Sequence, residues 1–148
     1  YEAPIPHDDI SGYVELTRLL DIPIAVEMWD SYSEYIRRGA IDIFRAMGDV
    51  SGGITDMRKS ADLCELSHIK WEPHCYGSTL CQAAHLHVIL TTRNCDFFEM
   101  PVPDGVFDVG MKEVLKIDKE GYVHAPTKPG LGLEIDWKKI EELTLKKV

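Results

Sequence analysis

The stretch IPIAVE, residues 22–27, decides how this chain folds. Its first five residues are apolar throughout, which is typical of a parallel strand that is buried on both faces. Glu27 stands at the end of this run, and a helix pattern follows, in which Ser31 and Glu34 form a capping box and Gly39 is the expected stop. Strand, acidic end and helix together predict one βα unit.

The same alternation continues along the first two thirds of the chain. Short apolar runs recur roughly 20 to 30 residues apart with helix patterns between them, which predicts an α/β fold with a parallel sheet. A doubly wound open sheet would carry a glycine-rich phosphate loop after its first strand. The pair Gly52-Gly53 comes late and stands alone, so a TIM-type (β/α) barrel is the better interpretation. The further predicted strands are 41–47, 69–73 and 95–98, and the further predicted helices cover 54–64 and 80–88.

The pattern changes after Pro101. Residues 114–118 and 122–125 flank a glycine-bearing turn and predict a hairpin. Asp136 is the expected cap of a last short helix, whose apolar residues lie on one face. We therefore divide the chain into a partial barrel, residues 1–103, which carries the chemistry, and a C-terminal tail, residues 104–148. The apolar residues of that last helix are Trp137, Ile140 and Leu143.

The composition excludes several classes of protein. A net charge of −9 over 148 residues argues against nucleic-acid binding, which needs a basic face. No apolar run approaches the roughly 18 residues of a membrane span, and no signal peptide is visible, so we expect a cytoplasmic protein without a membrane partner. None of the four cysteines lies in a C-x-x-C pair, which favours reduced, buried side chains over a zinc site. The start Tyr-Glu-Ala-Pro, without Met, suggests a cut inside a longer protein.

Two glutamates, Glu2 and Glu27, lie at the ends of successive predicted strands. The carboxyl ends of parallel barrel strands converge on one face, so these side chains are expected to approach each other. Carboxylate oxygens are the ligands that Mg²⁺ takes, which makes the pair a candidate magnesium site. The alternative for each residue is a surface glutamate in a loop.

Two further candidates follow later strands. His74 ends the strand 69–73 and is suited to take or give a proton near neutral pH, although a structural, hydrogen-bonded histidine is the alternative. Glu99 follows two aromatic residues, so it is expected to be desolvated, which would raise its pKa and let it act as an acid or hydrogen-bond donor. Its alternative is a salt-bridged structural acid. His85 and His87 lie inside a helix pattern and are expected to serve packing.

Taken in order, several segments resemble the enolase superfamily, in its mandelate racemase and acid-sugar dehydratase branch. The resemblance implies the C-terminal half of a modified (β/α) barrel, from the end of its fourth strand through the eighth, followed by a tail that packs on an N-terminal capping domain. It also implies that Glu2 and Glu27 are the second and third Mg²⁺ ligands, that His74 is the base, and that Glu99 hydrogen-bonds the substrate carboxylate. The matching segments are 1–4, 9–12, 21–27, 52–55, 73–74, 94–99, 129–132 and 134–136.

The chain departs from this pattern at several points. The first metal ligand and the lysine base of the family lie on earlier strands and are not in these 148 residues. Val26 stands where relatives commonly have glycine. Met47 stands where the aspartate partner of the histidine is usual, and Asp49, two residues later, is a candidate to replace that aspartate.

The resemblance implies Mg²⁺-dependent abstraction of the proton next to a carboxylate. The expected reaction is dehydration of a sugar acid to a 2-keto-3-deoxy acid. The alternatives are a racemase or epimerase of a 2-hydroxy acid, and a non-catalytic homologue, which Met47 favours. The expected partners are the missing half of the barrel with its capping domain, in the same protein or in another chain, and further copies in a homo-oligomer. We expect the isolated fragment to be inactive.

Overall fold

Helices alternate with short parallel strands along the first two thirds of the chain. The structure is a computed structural model that describes residues 1–28 and 30–146. In chain order the elements are α1 (Ile10–Leu19), β1 (Ala25–Glu27), α2 (Tyr32–Arg38), β2 (Ile43–Arg45), α3 (Gly53–Leu66), β3 (Lys70–Trp71), α4 (Thr79–Ile89) and α5 (Trp137–Leu143).

The three strands form one parallel sheet in the order β1-β2-β3. A parallel bridge between Glu2 and Ala25 adds the chain start beside β1. On the other side of the sheet, the backbone N–H of Trp71 donates to the Asn94 carbonyl at 3.0 Å. Neighbours in the sheet are thus neighbours in sequence, with a helix between each pair, as the repeated βα pattern predicts.

The two faces of the sheet differ because strand side chains alternate in direction. Val26, Phe44 and Trp71 point toward the helices and are almost completely buried. The Trp71 indole N–H donates to Ser60 Oγ of α3 at 3.0 Å, which gives the buried ring a polar partner. The opposite face therefore carries the alternate residues, and these include the charged ones. The helix residues packed in the same core are Tyr13, Tyr35, Ile36, Met57, Ala61, Cys64 and Val88.

The predicted start and stop of α2 are confirmed, but the predicted capping box does not form. Gly39 ends the helix in the left-handed conformation, with φ of 64°. Ser31 also has a left-handed backbone, with φ of 56°, and its side chain makes no capping hydrogen bond. Glu34 forms a two-pronged ion pair with Arg37 instead of reaching back to the cap. The local ion pair therefore replaces the capping box.

The strands are shorter than predicted. The expected strand 41–47 is regular only over Ile43–Arg45, and 69–73 only over Lys70–Trp71. The expected strand 95–98 is not regular at all. Among the described residues, one backbone bond, from Trp71 to Asn94, joins that segment to the sheet. A segment held by so few ladder bonds does not adopt regular strand geometry.

The tail contains a tight turn and the predicted last helix. The expected hairpin is reduced to one antiparallel bridge, Ile117 with Val123, around a turn whose N–H groups bond the Asp118 carboxylate. Asp136 caps α5 as predicted, accepting from the Lys139 N–H at 3.0 Å. The apolar face expected on α5 is not buried, since the Trp137 side chain is 70% exposed. No helix in the described ranges is long and apolar enough to cross a membrane.

Candidate active site

The strand ends bring the candidate residues to one face of the sheet. Glu27 and Arg45 are register partners at the ends of β1 and β2, so their side chains leave the same face. Glu2 joins them because it pairs with Ala25, two residues before Glu27. His74 follows β3. Its backbone N–H donates to the Ala46 carbonyl at 2.8 Å, which places His74 beside the end of β2.

His74 and Glu27 form the shortest polar contact of this site. His74 Nδ1 lies 2.5 Å from Glu27 Oε2, and the two side chains are 22% and 25% exposed. An ionised carboxylate only accepts hydrogen bonds, so Nδ1 carries the proton that it donates. In the neutral ring Nε2 then has a free lone pair. The arrangement orients a histidine that can accept a proton at Nε2.

Arg45 is a site residue that the sequence analysis missed. Its Nη2 lies 3.0 Å from Glu99 Oε2, and its Nε lies 3.1 Å from Glu2 Oε1, with the side chain 15% exposed. The Nε–H is not directed at Glu2 with hydrogen-bond geometry, so that contact is an ion pair rather than a directed bond. The signal that could have identified Arg45 is a charged residue near the end of the predicted strand 41–47, and the structure places it in register with Glu27.

Glu99 lies in the site as an ion-paired carboxylate. Besides Arg45, it accepts a hydrogen bond from the Cys75 N–H at 2.8 Å. The structure therefore contains the salt-bridged acid that was considered as the alternative.

Asp49 is not the partner of His74. It lies exposed in the turn after β2, and no hydrogen bond joins it to His74 within the described ranges. Met47 is part of the same turn, and its carbonyl accepts the Ser51 N–H at 2.9 Å. In the structure, His74 Nδ1 instead contacts Glu27, at the end of β1.

His85, on α4, holds this turn in place. It is buried on α4, as the sequence predicts for packing, and its Nε2 accepts the Gly48 N–H at 2.9 Å. Burial lowers the pKa of His85 to about 4, although the negative charge of Asp49 opposes the shift. Gly48 is required here, because a Cβ at this position would lie 2.6 Å from His85 Nε2. His85 is therefore a neutral residue that holds the loop.

The thiols of Cys64 and Cys75 are buried away from the site chemistry. All four cysteines are free, and Cys64 and Cys75 are buried. Burial raises the pKa of both thiols well above the usual value, so they stay protonated and unreactive at neutral pH. The prediction of reduced, buried cysteines is confirmed for these two.

The donor set fits a hard cation in type but not in number. Glu2 and Glu27 offer carboxylate oxygens at neighbouring strand ends on one face, which is the chemistry that Mg²⁺ prefers. Glu27 is bonded to His74, and Glu2 is paired with Arg45. Within residues 1–28 and 30–146, no group of three His, Cys, Asp or Glu side chains is arranged to hold a metal. The described residues therefore supply two candidate ligands.

Known proteins share this fold and part of this sequence. A D-mannonate dehydratase from a Caulobacter species is 30% identical over 148 aligned residues, which cover 91% of this chain and 35% of the relative. A protein from Pseudovibrio described as a mandelate racemase/muconate lactonizing enzyme is 34% identical, with a TM-score of 0.93 over 98% of this chain and 40% of that one. A protein from Bordetella bronchiseptica described as a mandelate racemase is 27% identical, with a TM-score of 0.89.

These matches agree on both family and fold. The chain spans 35% of the length of the curated relative, so the matched region is one part of a larger architecture. The family model of enolase C-terminal domain-like proteins matches residues 1–139, nearly the whole chain. The α/β fold with its parallel strands is accordingly the C-terminal part of a TIM-type barrel. The chain belongs to the enolase C-terminal domain-like family, in the mandelate racemase and dehydratase-like part of the enolase superfamily.

Proposed function

We propose that this chain carries part of the active site of a Mg²⁺-dependent dehydratase that acts on a sugar acid. The observation that carries the proposal is the 2.5 Å contact between His74 Nδ1 and Glu27 Oε2, which leaves Nε2 as a proton acceptor. The similarity to a D-mannonate dehydratase supports a sugar acid as substrate and loss of water as the reaction.

The proposed reaction begins with proton abstraction next to the substrate carboxylate. His74 Nε2 takes the proton, and the resulting imidazolium is stabilised by the Glu27 carboxylate. The same proton then passes to the β-hydroxyl, whose carbon–oxygen bond breaks, and water leaves. The enol that remains becomes a 2-keto-3-deoxy acid by tautomerisation.

Negative charge grows on the substrate carboxylate as the α-proton leaves, and it must be offset. Mg²⁺ bound by Glu2 and Glu27 would neutralise that charge. Glu27 has an oxygen for each role, since Oε2 bonds His74 and Oε1 remains for the cation. Glu99, held by Arg45 and the Cys75 N–H, is proposed to line the same space and to contact the substrate.

The remaining parts of the enzyme are proposed to come from the rest of the protein. These are the earlier barrel strands, a further metal ligand and a capping domain that packs against the tail, residues 104–148. The coverage of 35% of the curated relative supports this. A homo-oligomer in the cytoplasm remains part of the proposal.

Two other functions have specific support. Racemisation or epimerisation of a 2-hydroxy acid is supported by the solved relatives described as mandelate racemases. A non-catalytic homologue is supported by Met47, which removes the usual aspartate. The ion pair of Glu27 with His74 argues against the second, because it restores a carboxylate partner for the histidine.

The test is turnover by the full-length protein. A panel of sugar acids that includes D-mannonate is incubated with and without Mg²⁺, and 2-keto acids are measured by a colour reaction. We expect Mg²⁺-dependent product, and a rate at least about 100-fold lower in His74→Asn, because the general base is lost. His124→Asn is the matched control, since His124 lies exposed in the tail and pairs with Asp118.

Three results would contradict the proposal. Unchanged turnover in His74→Asn would remove the histidine from the mechanism. Deuterium incorporation at the α-carbon in D₂O, without formation of a keto acid, would indicate racemisation or epimerisation instead of dehydration. If no acid of the panel is turned over or exchanges its α-proton, the non-catalytic homologue becomes the better interpretation.

A further inference from the structure

Arg45 places a positive charge among the carboxylates that are proposed to bind the cation. Its guanidinium joins Glu2 on one side and Glu99 on the other, and its side chain is largely buried. Burial reduces screening by water and salt, so this charge acts on its neighbours more strongly than a surface arginine would. A divalent cation that approaches Glu2 therefore meets an arginine already paired with it.

We propose that Arg45 sets the divalent-cation affinity of the site by competing with the cation for Glu2. This inference rests on the proposed function, because it takes Glu2 and Glu27 as the metal ligands. The contact geometry supports it. The Arg45 Nε–H is buried and has no directed hydrogen bond, although Glu2 Oε1 lies 3.1 Å away. Glu2 is thus held by charge alone, a contact that a second cation can replace.

Glu99 remains as the anchor of Arg45 when Glu2 turns to the cation. The Arg45 Nη2 contact with Glu99 Oε2 measures 3.0 Å, and the Cys75 N–H fixes the same oxygen at 2.8 Å. The guanidinium consequently keeps one carboxylate partner in either state. Arg45 acts through Glu2 and is a positioning residue rather than a catalytic one.

The experiment measures binding of Mg²⁺ alone to the full-length protein by titration calorimetry. In Arg45→Gln the amide can still donate to a carboxylate, but the charge is gone. We expect this variant to bind Mg²⁺ about tenfold more tightly, because repulsion between a unit charge and the divalent ion is removed. Arg45→Lys keeps the charge and should stay within about threefold of the wild type.

Lys70→Gln is the matched control. Lys70, on β3, is the register partner of Ile43, so it lies on the same face of the sheet as Arg45. It pairs with Asp96 rather than with a candidate ligand. Loss of this half-exposed charge should change the Mg²⁺ dissociation constant by less than about twofold. Thermal unfolding gives a second measurement, in which Mg²⁺ should raise the melting temperature of Arg45→Gln more than that of the wild type.

The outcomes separate this inference from the proposed function. If the wild type and Arg45→Gln both fail to bind Mg²⁺, the metal site itself is wrong. If the wild type binds, binding is lost in Glu27→Gln, and Arg45→Gln is unchanged or weaker, competition is wrong while the metal site stands. Tenfold tighter binding in Arg45→Lys would also overturn competition by charge, and it keeps the test decisive should Arg45→Gln fail to fold.

Discussion

Two histidines that follow β3 differ in chemistry because their surroundings differ. His74 is partly exposed, and its Nδ1 faces the carboxylate of Glu27, so its ring can take up a proton with a counter-charge in place. His85 is buried and accepts the Gly48 N–H, so the neutral ring is required there. The same residue type thus serves as a candidate base in one position and as a support of the loop in the other.

The buried His85 should make the protein less stable in acid. Its pKa is lowered from 6.5 to about 4, so the unfolded chain binds a proton in this interval that the native state does not. Stability is therefore fully present above the unfolded value and falls as the pH drops, by on the order of 2 kcal/mol from this group. Urea unfolding at pH 7 and at pH 4.5 measures the loss.

His85→Gln is the informative variant, because its amide oxygen can accept the Gly48 N–H and does not titrate. We expect it to lose less stability between the two pH values than the wild type. His124→Gln, changed in the exposed tail, should behave like the wild type. An equal loss in His85→Gln and the wild type would show that other groups cause the acid sensitivity.

The helices differ in whether a side chain accepts a hydrogen bond from an N–H group of the first turn. Asp9 caps α1 by accepting the Gly12 N–H at 2.9 Å. Ser78 caps α4 and Asp136 caps α5 in the same way. Ser31, at the start of α2, makes no such bond, although its sequence context is the more suggestive one. A capping sequence is therefore necessary but not sufficient for a capping bond.

Alanine substitution at two of these starts tests the difference. Asp9→Ala should lower the free energy of unfolding by about 1 kcal/mol, since an N–H of the first turn loses its acceptor. Ser31→Ala should change it by no more than about 0.5 kcal/mol, because no cap bond is lost. Urea unfolding of both variants beside the wild type is the measurement. A larger effect at Ser31 than at Asp9 would contradict this account.

The molecule as a whole has surfaces that an intact barrel would cover. Among residues 1–28 and 30–146, no strand pairs with the sheet beyond Glu2 on one side or beyond Asn94 on the other. Several large apolar side chains are also exposed, which is unusual on the surface of a monomer when they are contiguous. The exposed side chains include Tyr1, Leu19, Phe97, Val102 and Trp137.

We expect these 148 residues, produced alone, to associate through the exposed surfaces. Sedimentation velocity should show oligomers or aggregates rather than a species of 16.8 kDa. The full-length protein, measured in the same buffer, should give a defined species, because the proposed further strands would complete the sheet. A stable, monodisperse 16.8 kDa monomer would contradict the proposal that further barrel strands accompany this chain.

Local sequence patterns predicted which helices and strands are present better than they predicted the details at the ends of these elements. The run before Glu27 and the glycine at 39 marked a strand end and a helix stop, because backbone preferences of a few residues decide both. The irregular segment 95–98 could not be foreseen, since its strand character depends on ladder bonds to a neighbour that sequence patterns do not count. The capping box predicted at the start of α2 does not form, because Glu34 pairs with Arg37 instead of reaching back to the cap.

The sequence by itself determined that parallel strands alternate with helices, and that Glu2, Glu27 and His74 lie at or near strand ends. Periodicity and strand-end position are local properties, so they can be read directly. Only the tertiary structure decided the pairings: Glu27 with His74, and Arg45 between Glu2 and Glu99. Those contacts join residues that are far apart in the chain. Strand register and side-chain direction bring these residues within bonding distance, and no local pattern encodes either property.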